Sequence, residues 1–325
     1  MEPLLSVRDL RVEFHTRGGR VPALHGVGFD VMPGRTLGVV GESGSGKSVT
    51  AMALLGLLPE GVARITGGTA LFGGEDLLRA GERRMRAIRG GLIGTVFQDP
   101  STSLNPILTI GHQLREGLRL HLGLGRAAAT RRAAELLDLV RIPDPRAALS
   151  KYPHELSGGM RQRVMIAVAL SCSPKLLIAD EPTTALDVTT QAQILALLHD
   201  LQSRLGMAMI LVTHDLGVVA DHADAVVVMY AGRVVERASV GGLFARQAHP
   251  YTAGLLHSMP SLEEEDPPDL PAIPGMAASG AALPPGCAFH PRCARAWDRC
   301  AQEVPPLFDL GAAHEAACLL HAGPG

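Results

Sequence analysis

Along this chain the apolar positions change period several times, and each change predicts a different element. From Leu5 to Phe14 apolar and polar residues alternate, and Gly28 to Val31 alternates again, which predicts antiparallel strands in a small opening β layer. Thr36 to Val40 is instead a continuous apolar run, and Val49 to Leu58 reads as a helix. Between Thr109 and Val140 the leucines and alanines recur at helical spacing, with charged residues falling between them as on a solvated face. This predicts a helical subdomain, placed at about residues 101–170. Apolar runs return at Leu176 to Ala179, Ala208 to Val212 and Ala225 to Met229, separated by helical segments, as parallel strands buried on both faces would be. The predicted core is therefore α/β. From about Leu262 the pattern lapses: Glu263-Glu264-Glu265-Asp266-Pro267-Pro268 and later prolines resist regular structure. The predicted division is a main domain over 1–260 and, over 261–325, a linker with a small irregular cysteine-bearing extension.

Composition narrows the function classes. With 325 residues, 46% of them hydrophobic, the chain can bury a sizeable core and is long for one compact domain. A net charge of -2 supplies no basic field for sequence-independent binding of nucleic acid, so none is expected as a partner. No apolar stretch approaches the roughly 20 residues of a membrane helix, and Met1 to Asp9 lacks the order of a secretion signal. The expectation is a soluble, cytoplasmic chain.

The candidate chemistry begins directly after the first apolar run. Gly41-Glu42-Ser43-Gly44-Ser45-Gly46-Lys47-Ser48 fits the phosphate-loop pattern, with a strand before it and a helix starting at Val49 after it. In such a loop backbone N–H groups converge on phosphate oxygens, the lysine reaches the outer phosphates and the serine hydroxyl ligates Mg²⁺. A second apolar strand ends in Asp180-Glu181, at the strand end where open α/β sheets bind ligands. Asp180 is expected to hold Mg²⁺ and Glu181 to orient the attacking water, since phosphoryl transfer rests on positioning and charge stabilisation. Leu156-Ser157-Gly158-Gly159-Met160 precedes an apolar helix, so Ser157 and the glycines present N–H donors at a second anion-binding helix start.

Leu-Ser-Gly-Gly ahead of the acidic strand resembles the signature of ATP-binding cassette proteins, a phosphate-loop NTPase fold. The resemblance implies that Ser157, Gly158 and Gly159 of one subunit cap the γ-phosphate held by another in a head-to-tail dimer. It further implies a Mg²⁺-contacting and coupling role for Gln98, within Val96-Phe97-Gln98-Asp99-Pro100, and an interface-crossing loop at Ala185-Leu186-Asp187. His214 resembles the switch histidine at the γ-phosphate. Phe14 falls where cassettes stack an aromatic ring on adenine, although a core-facing strand residue fits that position equally and His15 is a competing neighbour.

Gln98 to Pro106, Leu156 to Arg163 and Ala179 to Thr189 together look like the ATPases of bacterial oligopeptide, dipeptide and nickel importers. That likeness implies ATP and Mg²⁺, two transmembrane permease subunits, an extracytoplasmic solute-binding protein, and a peripheral place on the cytoplasmic face of the cell inner membrane. Met160 and Ile178 to Ala185 resemble the first of two paired ATPases, which implies a heterodimer with a second homologous cassette. In the extension, Cys287, Cys293, Cys300 and Cys318 stand with five, six and seventeen residues between them. Four thiols suit an iron–sulfur cluster, and a structural zinc usually shows closer pairs. The family resemblance supports a [4Fe-4S] cluster, with zinc or unliganded thiols as the alternatives. His290 is another candidate ligand beside a turn-forming proline, and lone Cys172 reads as a small buried hydrophobe.

Overall fold

The computed structural model describes residues 2–99, 103–184, 186–258, 273–278, 280 and 283–323. The acidic, proline-rich linker, Ala185 and the Pro100-Ser101-Thr102 stretch lie outside the described residues. Two compact units are present, one formed by Met1–Val31, Thr36–Leu78 and Thr213–Gly325, the other by Met32–Arg35 and Arg79–Val212.

In the first unit an antiparallel sheet has the order β2-β1-β4-β5, with β1 at Leu5–Thr16, β2 at Gly19–Val31, β4 at Ala63–Phe72 and β5 at Glu75–Asp76. Leu5, Val7, Leu10 and Val12 of β1 are fully buried, so the inward alternation slips by one residue at Arg8-Asp9. A bulge absorbs the slip: Asp9 takes a left-handed φ of 49°, and the register shifts there against both neighbours. Gly68 of β4 lies against it, where a Cβ would stand 2.6 Å from the Asp9 carbonyl oxygen.

The same unit holds β3 (Thr36–Val40), buried throughout and parallel to β9 (Ala225–Tyr230), with β10 (Arg233–Ser239) antiparallel to β9. The C-terminal extension is less irregular than its sequence suggests. Its two short strands, β11 (Phe308–Asp309) and β12 (Glu315–Ala316), pair with each other, and β12 continues the sheet beside β10. Glu236 of β10, with no exposure, anchors this junction: it accepts the N–H groups of Ala248 (2.7 Å) and His249 (2.9 Å) and pairs with His314 Nε2 (2.7 Å). A core of Val228, Tyr230, Leu243, Tyr251, Ala288 and Phe289 joins strand, helix and extension. The helices here are α1 (Lys47–Leu55), α8 (Leu216–His222), α9 (Val240–Ala245) and α10 (Pro250–His257).

In the second unit β6 (Ile93–Val96), β7 (Leu176–Asp180) and β8 (Ala208–Thr213) run parallel, and β7 is buried along its whole length. That two-sided burial is why its sequence is an unbroken apolar run. Helix α2 spans Glu82–Ile88. The helical subdomain follows as α3 (Ile110–Leu122), α4 (Arg126–Leu139), α5 (Pro145–Ala148) and α6 (Gly158–Leu170). Thr109 caps α3 by accepting the His112 N–H, and Ile110, Leu114 and Leu118 form its buried stripe. Helix α7 (Val188–Leu205) connects β7 to β8. Among the described residues no helix is long and apolar enough to cross a membrane.

Candidate functional site

The first unit carries the loop between β3 and α1. At Gly41 a Cβ would stand 2.2 Å from the Met229 carbonyl oxygen, so only glycine lets the loop turn this close to β9. Gly46, at φ 101°, is the N-cap of α1 and supplies no side-chain cap. No N-cap side chain competes at this helix start, which is the arrangement of an anion-binding N-terminus. Lys47 is buried, and its Nζ donates to the carbonyl oxygens of Gly41 (2.7 Å) and Glu42 (3.1 Å), which folds the loop around the ammonium. Ser43 and Gly44 form the exposed tip, Ser45 is buried, and Ser48 and Val49 are half-buried in the first turn. Glu42 is held at two points that sequence reasoning missed: its N–H donates to Tyr251 Oη at 2.8 Å, and its carboxylate meets Arg292. Phe14 sits half-buried on β1, opposite Val21 and Ala63, with His15 exposed beside it. His214 is exposed just past β8, before Asp215 caps α8 through the Gly217 N–H (2.7 Å).

The second unit gathers the acidic strand end. Asp180 closes β7 nearly buried. Glu181 follows with a left-handed φ of 45°, a costly conformation for a non-glycine residue, and its N–H is tied to the Val212 carbonyl at 2.9 Å. Glu181 Oε2 accepts hydrogen bonds from Gln98 Nε2 and Thr184 Oγ1, both at 3.0 Å. Gln98 and Glu181, singled out separately in the sequence, thus meet directly. Ser157 is the N-cap of α6, its Oγ accepting the Met160 N–H at 3.3 Å, and Ser157 and Gly158 are exposed. Asp187 caps α7 by accepting the Thr190 N–H at 2.9 Å, and that backbone bond lowers its carboxyl pKa. Gln162 was not anticipated. It is 1% exposed inside α6 and donates to the Pro182 carbonyl, tying the helix behind Ser157 to the segment behind Glu181.

Cys287, Cys293, Cys300 and Cys318 all line one small pocket at the extension. The Cys287 N–H donates to the Cys300 carbonyl at 2.8 Å, which holds the two cysteine turns together. Burial pushes the thiols of Cys287 and Cys293 up and that of Cys318 to about 11. His290 Nδ1 lies 2.9 Å from the Cys287 carbonyl oxygen, a contact that closes the turn predicted there. Among the described residues no three or more His, Cys, Asp or Glu side chains are gathered as a metal-holding group, so the ligand set expected from the spacing is not closed. Cys172 is buried as expected, and burial raises its pKa.

Comparison with known proteins fits this geometry. The ABC transporter family profile matches residues 24–184, and that of the oligopeptide/dipeptide transporter C-terminal region matches residues 235–300. A Sinorhizobium fredii protein, "Probable peptide ABC transporter ATP-binding protein y4tR", is 52% identical, over 97% of this chain and 94% of its own length. A Brucella melitensis protein bearing the name peptide import ATP-binding protein BMEII0863 is 52% identical, over 98% of this chain and 97% of its own. Among solved structures, the dimeric post-hydrolysis cassette MJ0796 bound to ADP and Pi is similar at TM-score 0.65 and 26% identity, covering 73% of this chain and 98% of that one. The cbiO1 protein of Clostridium perfringens, part of the cbiONQ transporter complex, is similar at TM-score 0.64 and 29% identity, covering 76% of this chain and 92% of that one. With the phosphate loop, the acidic strand end and the serine-capped helix in place, and relatives about half identical along nearly the whole length, this chain belongs to the ATP-binding cassette transporter family as one of its ATP-hydrolysing subunits.

Proposed function

We propose that this chain powers the import of dipeptides or oligopeptides across a bacterial membrane. It works as a peripheral subunit on the cytoplasmic face, with two transmembrane permease subunits, a second homologous cassette ATPase and an extracytoplasmic solute-binding protein. One observation carries the reading: a cassette and an oligopeptide/dipeptide transporter C-terminal region share one chain. The names of the Sinorhizobium and Brucella relatives agree with it.

The residues divide the work. The N–H groups from Gly44 to Ser48 receive the phosphates, and Lys47 exchanges its contacts with the Gly41 and Glu42 carbonyls for the outer phosphate oxygens. Ser48, Gln98 and Asp180 would be the residues to hold Mg²⁺, which when bound would neutralise charge on those oxygens. Glu181 orients and deprotonates the attacking water, and its bond to Gln98 links that base to the residue that senses the permease. Phe14 stacks on adenine and His214 contacts the γ-phosphate. Ser157, Gly158 and Gly159 complete the site of the partner cassette, with Asp187 crossing the interface.

Affinity purification of the tagged chain from detergent-solubilised membranes tests this. Recovery of two multi-span subunits and a second cassette ATPase, with peptide uptake lost on deletion of the gene, is the expected result. Recovery of ribosomal or DNA-repair proteins with no membrane partner would sink it.

The extension is a second site, read as the seat of a [4Fe-4S] cluster. The four thiols lining one pocket are the ligand type and number that such a cluster takes, and ligation would have to deprotonate Cys287, Cys293 and Cys318, whose thiol pKa values burial raises. Anaerobic purification should give iron and acid-labile sulfide in equal amounts, both lost in Cys293→Ser. Protein containing zinc or no metal would reject the cluster.

A further inference from the structure

The phosphate loop opens with an acid. Glu42 follows the first glycine of a segment that gathers phosphate charge, and an unneutralised carboxylate there would repel the incoming triphosphate. The chain answers it from 250 residues away. Arg292 Nη1 donates to Glu42 Oε2 at 2.6 Å and Nη2 to Oε1 at 3.0 Å, a two-point fork. The Arg292 side chain is 6% exposed and that of Glu42 29%, so the pair is only partly screened by water.

The guanidinium is itself held from behind. Its Nε donates to the Pro274 carbonyl at 2.9 Å and Nη2 to that of Ile273 at 3.3 Å, while its carbon lies 5.9 Å from the centre of the Tyr230 ring. The guanidinium stays charged at any working pH, as every arginine does. Glu42 is thereby gripped at every polar group: carboxylate by Arg292, N–H by Tyr251 and carbonyl by Lys47. Arg292 directly precedes Cys293, so the turn that lines the cysteine cavity also carries the clamp on the loop.

We infer that Arg292 is a positioning residue for nucleotide binding, neutralising Glu42 and fixing the entry of the phosphate loop, so that affinity for ATP depends on the C-terminal extension. The inference rests on the phosphate loop being the ATP site, which Lys47→Ala tests separately because the Lys47 ammonium bonds to the carbonyls of the loop itself.

A double-mutant cycle on the full-length chain tests it, reading MgATP dissociation constants by titration and, in the assembled transporter, KM and kcat for ATP. Arg292→Ala should weaken MgATP binding about tenfold and raise KM to match, with kcat at saturating ATP changed less than about twofold. In the Glu42→Gln background the same substitution should cost less than about twofold, because the repelling charge has gone. Arg292→Lys, which keeps the charge and loses the fork, should fall between wild type and Arg292→Ala and guards against misfolding of the alanine variant. An equal cost in both backgrounds, or unchanged affinity in Arg292→Ala with Arg292→Lys also at wild type, would make Arg292 a staple for the extension and overturn the inference.

Discussion

Two helices of this chain begin beside glycines, and they treat their first turns in opposite ways. Helix α1 starts behind Gly46, left-handed and without a side-chain cap, with Lys47 folded over the loop carbonyls. Helix α6 starts behind Ser157, whose own hydroxyl oxygen accepts the Met160 N–H, and the nearby Arg161 turns back to the Pro153 carbonyl at 2.8 Å. The first places a buried cation and an uncapped helix start on one segment, the arrangement of an anion cradle. The second is partly satisfied from within, and its Ser157 and Gly158 stand exposed. Similar composition thus yields two helix starts, and in the function proposed above the first holds a nucleotide alone while the second acts only in an assembly.

The largest test separates chemistry from both helix starts. Glu181→Gln should lower hydrolysis by about 10²- to 10⁴-fold while leaving MgATP binding intact, since an amide cannot accept the proton. Hydrolysis at the wild-type rate would remove Glu181 from the mechanism. Next in size is Gly41→Ala. The added Cβ collides with the Met229 carbonyl oxygen and must displace the loop, so titration of the isolated chain should show MgATP affinity reduced about a hundredfold, a cost of about 3 kcal/mol. Smallest is Ser157→Ala, which removes a helix cap worth about 1 kcal/mol. It should leave MgATP binding to the isolated chain unchanged and slow hydrolysis by the assembled transporter about tenfold. Weakened binding in the isolated chain would erase the distinction between the two helix starts.

Elements buried on both faces were the easiest to read, because Thr36–Val40 and Leu176–Asp180 admit almost nothing polar. Helices α3 and α4 were legible through stripes such as Ile110, Leu114 and Leu118. Strand β4 was not, because Gly67-Gly68 interrupts its alternation, and Gly68 is there to clear the bulge at Asp9, a constraint imposed by another strand. Strand β10 hid behind Glu236, an inward carboxylate that periodicity assigns to solvent. Strands β11 and β12 are too short to have a period. In the site the loop, the acidic strand end and the serine cap were all local patterns. Gln162 and Arg292 were invisible because each matters through one distant partner, the Pro182 carbonyl and the Glu42 carboxylate.

The anchorage at Glu236 bears on anyone who would trim this protein. Two of its partners, the Ala248 and His249 N–H groups, precede the linker, and the third, His314, follows it. Cutting away the extension would strip one partner from a carboxylate sealed from water, and would also bare the β10 edge that β12 now covers. Exposed strand edges recruit copies of themselves, so the shortened protein would fail first by clumping in the expression host, before any question of turnover arose.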